Sequence, residues 1–314
     1  MNTAFVFPGQ GSQIVGMGHD LYEASPAARA IFDHADALLG FPLTGLCFEG
    51  PEETLIATEN AQPALLTVST ALLAALGDSV DVASFLVGRS SFVAGHSLGE
   101  YSALVAAGAL DFATALRLVR RRGELMAAAD EGAMAAIIGL DETQLELLCR
   151  EVSAEGAPVV IANYNSPGQL VISGATGAVE RACVLAKERG AKRALPLKVS
   201  AAFHSPLMHG AAVSLAAAVA DAPIDDARVQ VLSNVTAEPL TEATAIRREL
   251  VTQVSSAVRW IASVRRMTES GVDTFVEVGP GAVLTGLIKR IAPGARLLNI
   301  SDMVGVRSFL TGGD

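Results

Sequence analysis

The sequence predicts an α/β fold in which a parallel sheet flanked by helices carries an inserted ferredoxin-like α+β subdomain. Three observations point there. Short apolar runs alternate with helical periodicity from the first residues onward, the signature of a parallel sheet with crossover helices. Of the 314 residues, 51% are hydrophobic but only 5% aromatic, so Ala, Val, Leu and Gly supply a core suited to helices packed closely on a sheet. Between residues 128 and 197 the order changes to strand–helix–strand–strand–helix–strand, the split βαβ of a ferredoxin-like unit.

Taken in order, a first strand covers 4–7, where Pro8-Gly9 stops an apolar run. Helices are expected at 26–39 and 62–76. A strand at 91–94 leads into Gly95-His96-Ser97-Leu98-Gly99, followed by helical stretches at 100–107 and 111–129, the second capped by Asp111. The inserted unit has strands at 134–140, 159–163, 170–173 and 193–199, with helices at 142–154 and 177–189. Its boundaries are set at 128–197, leaving 1–127 and 198–314 as one large domain. There the pattern resumes with helix 209–220, strand 229–232 and helices 247–254 and 260–270. Strand 274–278, ended by Gly279-Pro280-Gly281, and helix 282–291 complete it.

A formal net charge of −10 argues against nucleic acid, whose binding rests on basic surfaces that release counterions, and against a basic membrane anchor. Mean hydropathy is high at +0.41, yet the richest stretches, 61–77 and 211–220, are short or broken by polar residues and read as buried helices. Cys47, Cys149 and Cys183 share no metal-ligand spacing and read as reduced, mostly buried thiols. The N-terminus runs straight into an apolar strand without a charged region or cleavage site, so a cytoplasmic protein is expected. Asn234-Val235-Thr236 matches a glycosylation acceptor by chance in that setting. No apolar stripe demands a partner helix, and a monomer is the expectation.

Gly95-His96-Ser97-Leu98-Gly99 has the form of a nucleophile elbow, in which a serine sits on a strained turn between strand and helix. G-x-S-x-G alone is a weak signal; its place after an apolar strand and before a long helix strengthens it. A serine needs a base, and the chain offers His19, His34, His96, His204 and His209. His34 lies within a helical run, and His96, next to the serine, should point away from it. His204 stands at a strand-to-helix transition after the insertion, where parallel sheets present catalytic groups; a plain loop histidine is the alternative. The Leu98 N–H follows the nucleophile as a natural oxyanion donor, and the Pro8-Gly9-Gln10-Gly11-Ser12-Gln13 loop could supply another. That loop matches neither common nucleotide-binding glycine pattern. Arg117, Arg120, Arg121 and Arg122 span nearly two helical turns and cannot all face one way. Such a run usually marks a solvated face, but Arg122, beside Gly123 and the apolar boundary, could if partly buried hold a carboxylate through two parallel hydrogen bonds.

The segments FVFPGQGSQIVGMG, ENAQPALLTVSTA, AGHSLGEYSALVAAG, LVRRRGELM, NYNSPGQLVISG, AAFHSPLM, VTQVSSAVRW and FVEVGPGAVLTGLIKR occur in this order. Across nearly its whole length the chain resembles malonyl-CoA:acyl carrier protein transacylases. The resemblance implies a hydrolase-like core with a ferredoxin-like insertion. It also implies transfer of a malonyl group from malonyl-CoA to holo acyl carrier protein through an ester on Ser97, in fatty acid biosynthesis. A freestanding polyketide acyltransferase or a malonate decarboxylase transacylase would share that chemistry, and a serine hydrolase would share the elbow. By the resemblance, Ser97 is the nucleophile, His204 its base, and Gln10 and Leu98 the oxyanion donors. Arg122 pairs with the malonyl carboxylate, the Gln253 main-chain carbonyl orients the histidine, and Gln62 lies near the active site. No cofactor is implied, the coenzyme A thioester being a substrate. Phe203 before the histidine goes with malonyl rather than methylmalonyl in related polyketide acyltransferases. Ala201 departs from the His often opening that signature, and Ala282 from a basic residue expected at the carrier contact.

Overall fold

The computed structural model describes residues 2–79, 81–199 and 201–312. Strands β1 (Thr3–Phe7), β2 (Phe92–Gly95), β3 (Ala133–Ile138), β4 (Val159–Ser166), β5 (Gln169–Gly174), β6 (Arg193–Pro196), β7 (Gln230–Leu232), β8 (Pro239–Leu240), β9 (Thr274–Val278) and β10 (Arg296–Ile300) form two sheets among these residues. The larger has the order β10-β9-β1-β2-β7-β8. In its register Phe5 of β1 lies opposite Val93 on one side and Val276 on the other. Every pair in it is parallel except β7 with β8, a two-residue edge strand that runs antiparallel. Both faces of the sheet are covered, which is why β1 reads as an unbroken apolar run. Phe5 and Phe7 enter one hydrophobic cluster, while Ala4 and Val6 point into another, the period-two alternation of a strand.

The smaller sheet has the order β4-β5-β3-β6 and is antiparallel throughout. With its helices Glu142–Ser153 and Thr176–Glu188 it forms the ferredoxin-like unit, whose own core includes Leu145, Leu148, Val179 and Ala182. The structure shortens the strand expected at 193–199, which ends at Pro196 and frees residues 197–199 to line a cavity. It lengthens β4 to Ser166 through irregular register near Asn163.

The helix expected from residue 62 begins at Thr58 and carries Pro63 inside it. Proline lacks the N–H that would bond the Glu59 carbonyl, and Arg120 Nη1 takes that carbonyl instead at 2.9 Å. The helix His209–Asp221 buries only the face formed by Ala211, Ala212, Leu215 and Val219, correcting the expectation that 211–220 is buried. The helix expected at 247–254 is Ala243–Gln253. β10 and the helix Met303–Leu310 follow the last element expected from the sequence. β10 is a half-exposed edge strand and shows no clear alternation. Asp111 caps Phe112–Ala127 as expected, accepting from the Thr114 amide at 2.7 Å. All three cysteines are free, Cys47 and Cys149 buried and Cys183 half-buried. Among the described residues no helix is long and apolar enough to cross a membrane.

Candidate active site

β2 ends at Gly95, and the chain turns through His96 and Ser97 into the helix Gly99–Ala106. Ser97 has φ 52°, a left-handed conformation that a side-chain-bearing residue keeps only when its surroundings enforce it. Its amide donates to Asn234 Oδ1 at 2.7 Å, and its carbonyl accepts from Gln253 Nε2 at 2.9 Å. Both motif glycines are required by close approach. A Cβ on Gly95 would stand 1.8 Å from the Gly99 carbonyl carbon, and one on Gly99 would stand 2.0 Å from the Phe7 carbonyl oxygen. The elbow is thus wedged against the carboxyl end of β1.

His204 reaches this turn from the far side of the insertion. Its Nε2 lies 2.7 Å from Ser97 Oγ. Its Nδ1 lies 3.0 Å from both the Gln253 and the Ser256 carbonyl oxygens. Carbonyls only accept, so Nδ1 bears the hydrogen and Nε2 presents a lone pair to the serine hydroxyl. Burial, reinforced by the nearby Arg122 cation, pushes the ring down to about 3, so it rests neutral. His204 also holds a left-handed φ of 56°. Two backbone carbonyls therefore do the orienting that a carboxylate does in a Ser-His-Asp arrangement.

Arg122 comes from the buried stripe of Phe112–Ala127 and is 1% exposed. Nη1 donates to Gln62 Oε1 at 2.7 Å; Nη2 donates to Gln253 Oε1 at 2.9 Å and lies 3.1 Å from Ser97 Oγ. Nε has no partner, and among the described residues no carboxylate pairs with this guanidinium. A buried cation whose partners are all neutral is an open place for an anion. Gln62 is itself fixed in orientation, since its Nε2 donates to Thr58 Oγ1 at 2.9 Å and leaves its oxygen for Arg122. Arg117 and Arg121 remain on the exposed face, and Arg120 on Glu59.

These groups open onto a cavity of about 450 Å³ whose lining includes Gln10, Leu98, Arg122, Phe203, Leu197 and Val199. The Gln10 and Leu98 amides take no acceptor among the described residues. Phe203 is 6% exposed beside His204. His96 also lines the cavity, while its Nε2 is engaged with Asn165 Oδ1 at 2.8 Å. His34 and His209 are exposed. Gln10, Gln62, Ser97, Leu98, Arg122, Phe203, His204 and Gln253 are thus brought together around the carboxyl end of β2, whereas His19, His34 and His209 are not.

Asn234, Glu100 and Ser256 join them unannounced. Asn234 is 2% exposed, donates to the Gly95 carbonyl at 2.7 Å and accepts from Ser97, which explains why its glycosylation triplet is accidental. Its position directly after a parallel strand is a usable signal. Ser256 contributes a backbone carbonyl and carries no sequence signal.

The family described as "Acyl transferase domain" matches residues 4–303. The malonyl CoA-acyl carrier protein transacylase of Bacillus subtilis (strain 168) is 50% identical over 302 residues, covering 95% of this chain and 93% of that protein. The crystal structure of an acyl-carrier-protein-S-malonyltransferase from Bartonella henselae superposes with a TM-score of 0.95 at 43% identity, covering 99% of both chains. A malonyl-transacylase solved in complex with a type II PKS acyl-carrier protein gives a TM-score of 0.93 at 44% identity, covering 100% of both chains. With a serine, a neutral histidine and a buried unpaired arginine assembled on that fold, this chain belongs to the acyltransferase family of the malonyl CoA-acyl carrier protein transacylases.

Proposed function

We propose that the protein moves a malonyl group from malonyl-CoA to the phosphopantetheine thiol of holo acyl carrier protein. The observation that carries this reading is the buried, unpaired Arg122 guanidinium 3.1 Å from the serine oxygen. A carboxylate one methylene from a thioester carbonyl would satisfy the cation while its carbonyl meets Ser97 Oγ.

In the first half-reaction His204 Nε2 takes the Ser97 proton and Oγ adds to the thioester carbonyl. The Gln10 and Leu98 N–H groups receive the oxyanion. The C–S bond then breaks, and the departing coenzyme A sulfur takes the proton from His204. In the second, the carrier thiol gives its proton to His204 and attacks the ester, and Ser97 Oγ leaves with that proton restored. All proton and electron pairs are accounted for by these groups, so the cycle invokes no cofactor. The Gln253 and Ser256 carbonyls hold the imidazole, and Gln62 holds Arg122. Phe203 leaves little room for an α-methyl branch.

The domain division at 128–197 is retained in this reading, the small sheet forming one wall of the cavity through Asn163. A reducing, cytoplasmic setting accords with three free cysteines, two of them buried. The carrier product is an extender unit for fatty acid biosynthesis; the relative solved with a type II PKS carrier makes polyketide assembly the second reading. Rates with purified holo carriers of the two pathways separate them.

Arg122→Ala should lower kcat/KM for malonyl-CoA by about a hundredfold or more while leaving acetyl transfer within a few fold, because only malonyl carries the charge the arginine meets. An equal loss for both donors would remove Arg122 from substrate recognition.

A further inference from the structure

The strained peptide on either side of Ser97 is held by Asn234 and Gln253, and both of these are held by one carboxyl group. Glu100 Oε1 accepts from the Asn234 amide at 2.8 Å, and Oε2 accepts from Gln253 Nε2 at 2.6 Å. Glu100 lies in the first turn of Gly99–Ala106 and is 0% exposed. We infer that Glu100 is a positioning residue for acyl transfer, its two acceptor oxygens keeping Ser97 left-handed and fixing the Gln253 amide so that its oxygen faces Arg122. The inference rests on the reading of Ser97 as the nucleophile.

An amide side chain has two nearly isosteric orientations, and its neighbours decide between them. Gln253 Nε2 meets the Ser97 carbonyl and Glu100, which can both accept; Oε1 meets Arg122, which can only donate. Glu100 thus joins the Ser97 carbonyl in settling which end of Gln253 the guanidinium sees. Gln253 also supplies a main-chain carbonyl to His204, so the base, the cation and the nucleophile share this support. Beside Glu100 lies Glu249, 7% exposed, whose Oε1 accepts from the Val235 amide at 3.0 Å. Burial, then the Glu249 charge, raise the Glu100 carboxyl well above the usual range.

This inventory separates two isosteric substitutions. Gln at 249 keeps an Oε1 acceptor for the Val235 amide and leaves both Glu100 oxygens free for Asn234 and Gln253. Gln at 100 can present only one acceptor atom, so its NH2 must face either the Asn234 N–H or the Gln253 amide donor, two donors in contact.

Wild type, Glu100→Gln and Glu249→Gln are compared by single-turnover acylation with malonyl-CoA and by labelling of Ser97 with phenylmethanesulfonyl fluoride. Glu249→Gln should stay within about threefold of wild type, while Glu100→Gln should acylate about thirtyfold more slowly or worse, as expected for a displaced nucleophile. Half-saturation by malonyl-CoA should move by less than about threefold in Glu100→Gln, because Gln62 still holds Arg122. Sulfonylation should slow in parallel. A wild-type rate in Glu100→Gln, or equal loss in both variants, overturns the inference. If Glu100→Gln shows no cooperative unfolding, Glu100→Asp replaces it, its acceptors withdrawn by one methylene; a wild-type rate there is equally fatal. Wild type that takes the sulfonyl group but no malonyl adduct would defeat the functional reading alone, and the sulfonylation rates would still decide the role of Glu100.

Discussion

His204 illustrates how far one residue's chemistry is set by its surroundings. Burial and the Arg122 cation put its ring at about 3, against about 6.5 for an imidazole in the unfolded chain. In the proposed mechanism the base is therefore competent well below neutrality. The acylation rate constant should remain within about twofold from pH 8 down to pH 5.5, whereas a histidine of ordinary basicity would be mostly protonated there. An acid limb with its midpoint near 6.5 would contradict this. Stability carries the same sign. Between those two values the unfolded chain binds the proton and the folded chain does not. The contribution of His204 is thus complete above about pH 6.5 and falls as the pH drops toward 3.

At the scale of elements, the strand-turn-helix of β2, Ser97 and Gly99–Ala106 is the part of the site most legible in the sequence. Its glycines are compelled by contacts within a few residues, and the motif records them. Gly95→Ala should destabilise by at least about 3 kcal/mol or abolish soluble expression, because its Cβ would meet backbone at 1.8 Å. Gly286, exposed in the helix Val283–Ile291, has nothing within 4 Å of its added Cβ, and Gly286→Ala should stabilise by about 0.5–1 kcal/mol in chemical denaturation. Opposite signs at these two glycines are the check; a similar effect at both would mean that crowding at the elbow is not what the motif encodes. Arg122 was separable from its neighbours by the apolar stripe of its own helix. Asn234 left only its place after a parallel strand as a signal and Glu100 left none, because they act on each other across 134 residues through a backbone amide that no motif marks. The edge strands β8 and β10 escaped for a related reason: half-exposed or two-residue strands leave no periodicity to read.

Across the whole molecule, the ferredoxin-like order was legible because each of its elements alternates with its own turn signals, while the seam joining the two sheets was not. That seam lies close to His204. Val258 donates to the Ala162 carbonyl at 2.8 Å and accepts from the Tyr164 amide at 2.9 Å, two residues beyond the Ser256 carbonyl that holds His204. His96 adds a side-chain link to Asn165 across the same seam. The small sheet thereby supports the His204 ring as well as walling the cavity. The hydrophobic interior extends over the cysteines, and burial pushes the Cys47 and Cys149 thiols up to about 12. Folded protein treated with a thiol-exchange reagent at pH 8 should leave Cys47 and Cys149 unmodified, with all three thiols reacting on denaturation; rapid native labelling of Cys47 would contradict the packing described.

The central claim is the covalent ester on Ser97, and intact-mass measurement after mixing with malonyl-CoA, without carrier, tests it most directly. The expected result is a single malonyl adduct, absent from Ser97→Ala, stable in buffer and discharged on adding holo acyl carrier protein. No adduct on the wild type, or an adduct that persists in Ser97→Ala, would contradict it.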